Sequence, residues 1–320
     1  MIYNHKLIND LAWSIGSPCL TDSISDHITD KNADKPHSKD KRLITSDWCN
    51  LQTKHFQTLL IEQDKNPQLI QSYLSSMPVF KLGFYFEHLI AYWFSIHPDF
   101  EILQRNLVIE EDKHTLGELD FLLRDIKRNK TIHLEVAVKF FLGLNDDQSD
   151  DLNHKANQNT GSSIHWFGPN LNDRLDIKLD KLFNKQIRLS ENEITKRILK
   201  EMGLTIDEHW VLLKGRLFKE DNTLNKQQCW LTLSDFANYK DQASSQWIIL
   251  PKTYWLAELS HIDYNFLPNK IHQKDEIIEI INKAPFTKPV CLAKINEEKE
   301  TNRIFITPEN WKEKAIEKLP

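Results

Sequence analysis

The sequence predicts an α/β protein, and three observations support that prediction. An apolar helical pattern at residues 80–96 is followed directly by strand-like runs at 101–109, 117–125 and 131–142. Amphipathic helical patterns lie on both sides of this group, whereas strand-like runs dominate the chain after about residue 205. We therefore expect an α/β core between an N-terminal helical extension and a C-terminal β-rich module.

Three parts of the chain are predicted, with boundaries where the pattern changes: residues 1–75, 76–204 and 205–320. In the N-terminal extension, residues 5–16 and 47–76 carry apolar side chains at helical spacing. The segment 21–42 between them is polar and charged. We expect it to be a disordered loop, because it has too little apolar surface to bury.

The core continues with a second polar loop at 145–172 and two helices at 173–190 and 191–203. The two strands at 117–125 and 131–142 are separated by a short polar turn, which predicts a hairpin. The strands expected in the C-terminal module are 209–218, 229–236, 246–251 and 289–295.

Composition excludes several classes of protein. The net charge of −5 argues against a general polyanion-coating protein, although a local basic patch could still bind nucleic acid. No apolar run approaches the ~20 residues that span a bilayer, and the first residues lack the unbroken apolar stretch of a signal peptide. We expect a cytoplasmic protein without a membrane partner. The spacing of the four cysteines favours buried or incidental free thiols over a zinc site or a disulfide framework.

Both strands of the predicted hairpin carry acidic residues. Asp120 follows Glu118 on one strand, and Glu135 lies on the other strand among apolar neighbours. Because paired strands lie ~4.8 Å apart, Asp120 and Glu135 can meet on one face. Carboxylates held so close repel unless a proton or a divalent cation lies between them, and Mg²⁺ or Mn²⁺ prefers such oxygen ligands.

Glu87 and Lys139 complete the candidate catalytic set. Glu87 lies on an apolar flank of the helix at 80–96, so it points toward the sheet if the helix packs there. Lys139 shares a strand face with Glu135. Phosphodiester hydrolysis gains from a cation that activates water and from a fixed positive charge near the phosphoryl group. We therefore expect Asp120, Glu135 and Glu87 to bind metal and Lys139 to stabilise charge.

These residues carry a resemblance to a known superfamily. The order of a G-x-x-x-E helix, an R-N pair, a G-E-L-D strand and an E-V-A-V-K strand resembles the PD-(D/E)XK nucleases, most closely their resolvase-like and RecB-like branches. The matching residues are Gly83, Glu87, Arg105, Asn106, Gly117, Glu118, Asp120, Glu135 and Lys139. The resemblance implies a restriction-endonuclease-like core with a central mixed sheet flanked by helices, and an Mg²⁺- or Mn²⁺-dependent nuclease acting on nucleic acid, with DNA favoured.

The whole chain also resembles a bacterial family described as domain of unknown function 1853, through stretches such as LAWSIGSP, HWVLLKGRLF and ILPKTYWLAEL. One departure from the superfamily pattern concerns the lysine, which usually follows the glutamate by two residues. Ala137 occupies that position here, and Lys139 lies ~13 Å from Glu135 along the strand rather than ~6.7 Å. A long side chain, a bulge or a lysine from elsewhere could compensate.

Four residues of the helix at 173–190 are predicted to bind substrate: Arg174, Lys178, Lys181 and Gln186. The three basic residues form one helical stripe. In the superfamily, basic or amide residues on this helix often face the substrate, and the resemblance suggests the same role for Gln186. The alternative is a solvated polar face, which the neighbouring aspartates favour.

Other readings stay open. Asp120 and Glu135 could instead form a hairpin ion-pair site with a base such as Lys139, Arg124 or His133. The fold could be a catalytically degenerate module for nucleic-acid binding or assembly, or the chain could be a nuclease toxin or defence effector that is active only with a partner. A protein partner or a homodimer also stays open. Lys214 and Arg216 could contact phosphate, but an exposed strand edge is the favoured interpretation.

Overall fold

A computed structural model describes residues 3–23, 41–75, 81–145, 164–224, 226–240, 245–260, 271–297 and 299–319. Most of the predicted loop at 21–42, and the part of the second predicted loop at 146–163, lie outside these residues. The chain divides into two compact units. Unit 1 comprises Tyr3–Lys139 and Ile177–Gly215, and unit 2 comprises Phe140–Asp176 and Arg216–Pro320.

Ten helices and ten strands have bounds that the described residues define. The helices are α1 (Lys6–Gly16), α2 (Leu20–Ser23), α3 (Ser46–Lys65), α4 (Gln68–Ser75), α5 (Leu82–Ile96), α6 (Leu175–Lys181), α7 (Glu193–Glu201), α8 (Leu233–Asn238), α9 (Lys274–Asn282) and α10 (Trp311–Ile316). The strands are β1 (Lys41–Leu43), β2 (Phe100–Glu111), β3 (His114–Asp125), β4 (Lys130–Asn145), β5 (Ile164–Phe167), β6 (Glu208–Glu220), β7 (Gln228–Thr232), β8 (Gln246–Ile249), β9 (Val290–Asn296) and β10 (Lys299–Thr307).

Unit 1 contains a mixed sheet in the order β2-β3-β4-β6, with β1 beside β6. The strands β2, β3 and β4 are antiparallel neighbours, whereas β1 and β6 run parallel. The lengths of β2, β3 and β4 agree with those of the three strands predicted after the apolar helix. The α/β class and the sheet packed by helices are therefore confirmed for this unit.

Helix α5 is buried along most of its length, as its apolar sequence predicts. Its Phe94 ring packs against Phe100 and Phe121 of the sheet. A second cluster joins Leu199 of α7 to Leu119 and Leu122 of β3. Helices α5 and α7 both contact β2, so the hairpin of β2 and β3 is held by helices before and after it in sequence.

The strand β6 differs from its predicted environment. Lys214 is fully buried in unit 1, and its Nζ donates hydrogen bonds to the main-chain oxygens of Ile15 and Ser17. Arg216 is buried in unit 2 and donates to the carbonyl oxygen of Leu256. The favoured interpretation of an exposed strand edge is therefore wrong, because both cations cap buried main-chain oxygens.

Unit 2 contains strands in the order β6-β7-β10-β9-β8, and β5 pairs with β4. The predicted strand at 229–236 is wrong in its second half, which forms α8. Thr232 causes the change, because its side chain accepts the backbone N–H of Asp235 and caps the helix. Unit 2 also contains α9 and α10.

The predicted single helix at 173–190 consists of three pieces. After α6, the chain forms a π-helical turn at Leu182–Gln186 and a 3₁₀ turn at Leu189–Glu191. The predicted loop before it contains the short strand β5. The predicted domain boundaries at residues 75 and 204 stay predictions, because the compact units follow contacts rather than position in the chain. In the described ranges, no helix combines the length and apolarity needed to cross a membrane.

Candidate functional site

The site in unit 1 begins where two paired strands separate. The ladder between β3 and β4 runs from Asp125 opposite Lys130 to Phe121 opposite Leu134, and it ends there. The next position on each strand is an acid, Asp120 on β3 and Glu135 on β4. The Val136 N–H, beyond the end of the ladder, donates instead to Oδ2 of Asp120 at 2.9 Å. The structure thus brings Asp120 and Glu135 together, as the hairpin pattern predicts.

The carboxyls of Asp120 and Glu135 act on each other electrostatically. Glu135 is fully buried, and Asp120 is partly buried. Burial, followed by the negative charge of Glu135, raises the pKa of Asp120 to about 7. Burial likewise raises the pKa of Glu135 to about 7. Near neutral pH the pair therefore holds a proton that a cation could replace.

Glu87 adds a third acid from α5. Its carboxyl is partly buried, and burial is the main reason that its pKa is raised to about 7. The negative charges of Asp120 and Glu118 raise it further, while the guanidinium of Arg105 opposes them. Three acids from one helix and two strands thus share a single electrostatic environment.

The buried carboxylate of Glu135 is held by a donor on each oxygen. His133, two residues earlier on β4, lies with Nε2 2.9 Å from Oε1, and Gln186 donates from Nε2 to Oε2 at 2.9 Å. Burial lowers the pKa of His133 to about 3, so its ring is neutral and this contact is a hydrogen bond rather than an ion pair. Arg124, another base considered for such a pair, donates to Asn129 instead.

Behind His133 lies a buried chain of polar groups that the sequence did not indicate. Its Nδ1 lies 3.0 Å from Oγ of Ser190, which in turn lies 2.8 Å from Nε2 of His209. When Glu135 is ionised, His133 donates to it, the Ser190 hydroxyl donates to His133, and His209 donates to Ser190. His133 shares a strand face with Glu135, and this spacing was the only feature of the sequence that pointed to these hydrogen bonds.

Lys178 is linked to the Asp120–Glu135 pair by hydrogen bonds through the side chain of Gln186. The Lys178 ammonium donates to Oε1 of Gln186 at 3.0 Å, so the amide joins the lysine to Glu135. Burial lowers the pKa of Lys178, and the charge of Lys139 lowers it further, whereas Glu135 and Asp120 raise it. Lys178 is thus a partly buried cation beside the acidic pair.

The π-helical turn explains why Lys178 and Gln186 face the same way. In a regular helix, residues eight apart are rotated by about 80°, whereas residues seven apart share a face. The turn at Leu182–Gln186 inserts one residue. Gln186, eight residues after Lys178, therefore lies where a seventh residue would lie in a regular helix.

The other predicted site residues have different surroundings. Lys139 is partly buried on β4, and its charge acts on Lys178. Lys181 is exposed but also acts electrostatically on Lys178. Arg174 belongs to unit 2, where it pairs with Asp176 and donates to the carbonyl oxygen of Lys318.

Across the part of the chain that the structure describes, no group of three or more histidine, cysteine, aspartate or glutamate side chains is arranged to hold a metal ion. Glu87 acts electrostatically on the Asp120–Glu135 pair, but the three acids do not form a preformed set of metal ligands. A cation at this place would rest on the two carboxyls and complete its coordination with water or substrate oxygens, as Mg²⁺ commonly does.

Comparison with known proteins identifies one family. A family model described as "Domain of unknown function (DUF1853)" matches residues 9–307. No curated protein and no solved structure shows significant similarity to the chain. The match extends over unit 1 and most of unit 2, and it confirms the resemblance noted from the sequence. The chain therefore belongs to the DUF1853 family.

Proposed function

We propose that unit 1 binds Mg²⁺ or Mn²⁺ and hydrolyses phosphodiester bonds of nucleic acid, with DNA as the favoured substrate. One observation carries the proposal, namely that Asp120 and Glu135 face each other where a strand ladder ends, each with a pKa of about 7. The order of these residues after the helix of Glu87 supports the further proposal of a PD-(D/E)XK core.

The chemistry of the donors fits a hard divalent cation. Asp120 and Glu135 offer only oxygen atoms; Glu135 is fully buried and Asp120 is partly buried. An ionised pair in such a place is costly unless a cation compensates it. Asp120 and Glu135 would hold the cation, and Glu87 would assist. The cation would supply Lewis-acid polarisation of the scissile phosphoryl group.

The protein's own residues would position the rest of the reaction. Hydrogen bonds from His133 and Gln186 fix the orientation of Glu135. Lys178 would place a positive charge near the developing negative charge on phosphate, a role that the resemblance gives to Lys139. Because Lys178 is joined to Glu135 through Gln186, it is a suitable replacement for the lysine that position 137 lacks.

A second candidate function is a non-catalytic module that binds nucleic acid. Two observations favour it: Ala137 lies where the superfamily usually has lysine, and no three-ligand group is formed among the described residues. In that case, the acidic pair would persist as a structural or regulatory feature, and Lys178 and Lys181 would contact the phosphate backbone.

Cleavage of a substrate panel tests these proposals. Supercoiled plasmid, linear duplex, single strand, four-way junction and RNA are incubated with Mg²⁺ or Mn²⁺. The proteins compared are the wild type, Asp120→Asn, Glu135→Ala and the control Glu110→Gln, at an exposed acid of β2. We expect cutting by the wild type and the control alone. No cutting, with retained binding to one substrate, would support the binding module instead.

A further inference from the structure

Two cysteines of unit 1 lie together although they are far apart in sequence. Cys19 immediately precedes α2, and Cys49 lies in the first turn of α3. Their sulfur atoms are 3.6 Å apart, and both side chains are fully buried. Both are free thiols. The distance is short enough that a disulfide could form with a small movement of the two side chains.

A buried cation lies beside the two thiols. The Lys214 ammonium is anchored on the carbonyl oxygens of Ile15 and Ser17, and its charge lowers the pKa of both Cys49 and Cys19. The amino end of α3 gives a further positive field at Cys49. Three groups therefore stabilise a thiolate at Cys49: the thiol of Cys19, the ammonium of Lys214 and the helix end.

The two sulfurs are not equivalent. The hydrogen bond from Cys19 is the main reason that the pKa of Cys49 is lowered to about 7, and Lys214 adds to it against the effect of burial. The same hydrogen bond, together with burial, raises the pKa of Cys19. The position of Cys49 in the first turn of α3 therefore favours its sulfur as the one that attacks an oxidant, and the sulfur of Cys19 lies 3.6 Å away to resolve the product.

We propose that Cys19 and Cys49 form a peroxide-sensitive dithiol, in which Cys49 attacks the oxidant and Cys19 resolves the product as a disulfide. This modification site is independent of the proposed nuclease function. The thiolate of Cys49 attacks one peroxide oxygen, so the S–O bond forms and the O–O bond breaks. The hydroxide that leaves takes up the proton that the Cys49 thiol released on ionising and becomes the first water. The sulfur of Cys19 then attacks that of Cys49, the S–O bond breaks, and the proton of Cys19 leaves with the hydroxide as a second water. Two electrons pass from the thiols to the peroxide.

The chain contains its own controls for this chemistry. Cys229 and Cys291 of unit 2 are buried as deeply as Cys19 and Cys49. Burial raises the pKa of each to about 12. If burial alone governed oxidation, the four cysteines would behave alike. If the thiolate environment governs it, only Cys19 and Cys49 should react.

The test begins with the native full-length chain. It is treated with a modest molar excess of hydrogen peroxide at pH 7.5, then unfolded and alkylated, and its peptides are identified by mass spectrometry. We expect a Cys19–Cys49 disulfide, formed at least ~10-fold faster than any loss of alkylation at Cys229 or Cys291. Equal rates at the four cysteines, or a disulfide that forms only after unfolding, would overturn the proposal.

Two conservative variants separate the roles of the sulfurs. In Cys19→Ser, the serine hydroxyl can still donate to the thiolate, so Cys49 should stop at the sulfenic acid and be captured by dimedone. In Cys49→Ser, the remaining Cys19 should resist peroxide and dimedone. Circular dichroism and melting curves check that both variants fold. Equal labelling of the single cysteine in the two variants would contradict the assigned roles.

Discussion

Asp120→Asn should stabilise the metal-free protein at alkaline pH. The folded protein raises the pKa of this carboxyl from 3.8 to about 7. At ~1.4 kcal/mol per pKa unit, ionising Asp120 in the folded state costs up to about 4 kcal/mol. The proton shared with Glu135 and local relaxation reduce this value, so we expect a gain of about 1–3 kcal/mol in the free energy of unfolding at pH 8. Asparagine can still accept the N–H of Val136.

The pH dependence gives the sign of the effect. Because the folded-state pKa is raised, stability is fully present below the unfolded value near 4 and is lost as the pH rises through 7. The wild type in EDTA should therefore become less stable between pH 5 and pH 8. Urea denaturation at both pH values measures this, and the advantage of Asp120→Asn should be smaller by at least half at pH 5.

Mn²⁺ should cancel or reverse the stability advantage of Asp120→Asn over the wild type. A metal at 100 times its Kd stabilises the wild type by about 2.7 kcal/mol, and Asp120→Asn should lose most of this gain. Glu110→Gln, at an exposed acid on β2, should behave as the wild type throughout. The reasoning is refuted if Asp120→Asn is destabilised equally at pH 5 and pH 8, or if it retains the full Mn²⁺ effect.

Three further predictions concern cations, backbone and capping. If the protein cleaves nucleic acid, Lys178→Met should lower the single-turnover rate by about 100-fold, and Lys139→Met should lower it by less than ~10-fold. Equal losses in the two variants would contradict the role given to Lys178. Gly215→Ala should lower the free energy of unfolding, measured in urea, by about 2–4 kcal/mol. A Cβ at position 215 would lie 1.7 Å from the carbonyl oxygen of Lys139, and the φ of Gly215 is +148°, which strains any other residue. An unchanged urea midpoint would show that β6 can shift. Thr45→Ala should cost about 1 kcal/mol, because its side chain caps α3 by accepting the N–H of Trp48, and Thr45→Ser should retain most of the stability.

The central hairpin was the most predictable part of the protein. Its strands are dense in apolar residues and are joined by a short turn, which leaves few choices of register. The observed pairing of Phe121 with Leu134 places Asp120 opposite Glu135, as that argument requires. Helix α5 was equally clear, because it is apolar over most of its surface.

The remaining features depend on contacts that a linear pattern does not record. Ser190 and His209 join His133 from separate segments, and Cys49 meets Cys19 across thirty positions. The strand-to-helix change after Thr232 could have been found, because a threonine three residues before Asp235 is a helix-capping signal. The apolar run around it favours a strand instead.

The π-helical turn makes this part of the chain sensitive to length as well as to residue type. Removing one residue within Leu182–Gln186 would convert the turn to regular helix and rotate Gln186 by about 100° relative to Lys178. Composition, charge and the apolar pattern of the helix would hardly change, yet the link from Lys178 to Glu135 would be broken. A one-residue deletion here is thus a shift of helical phase, which no series of point substitutions reproduces.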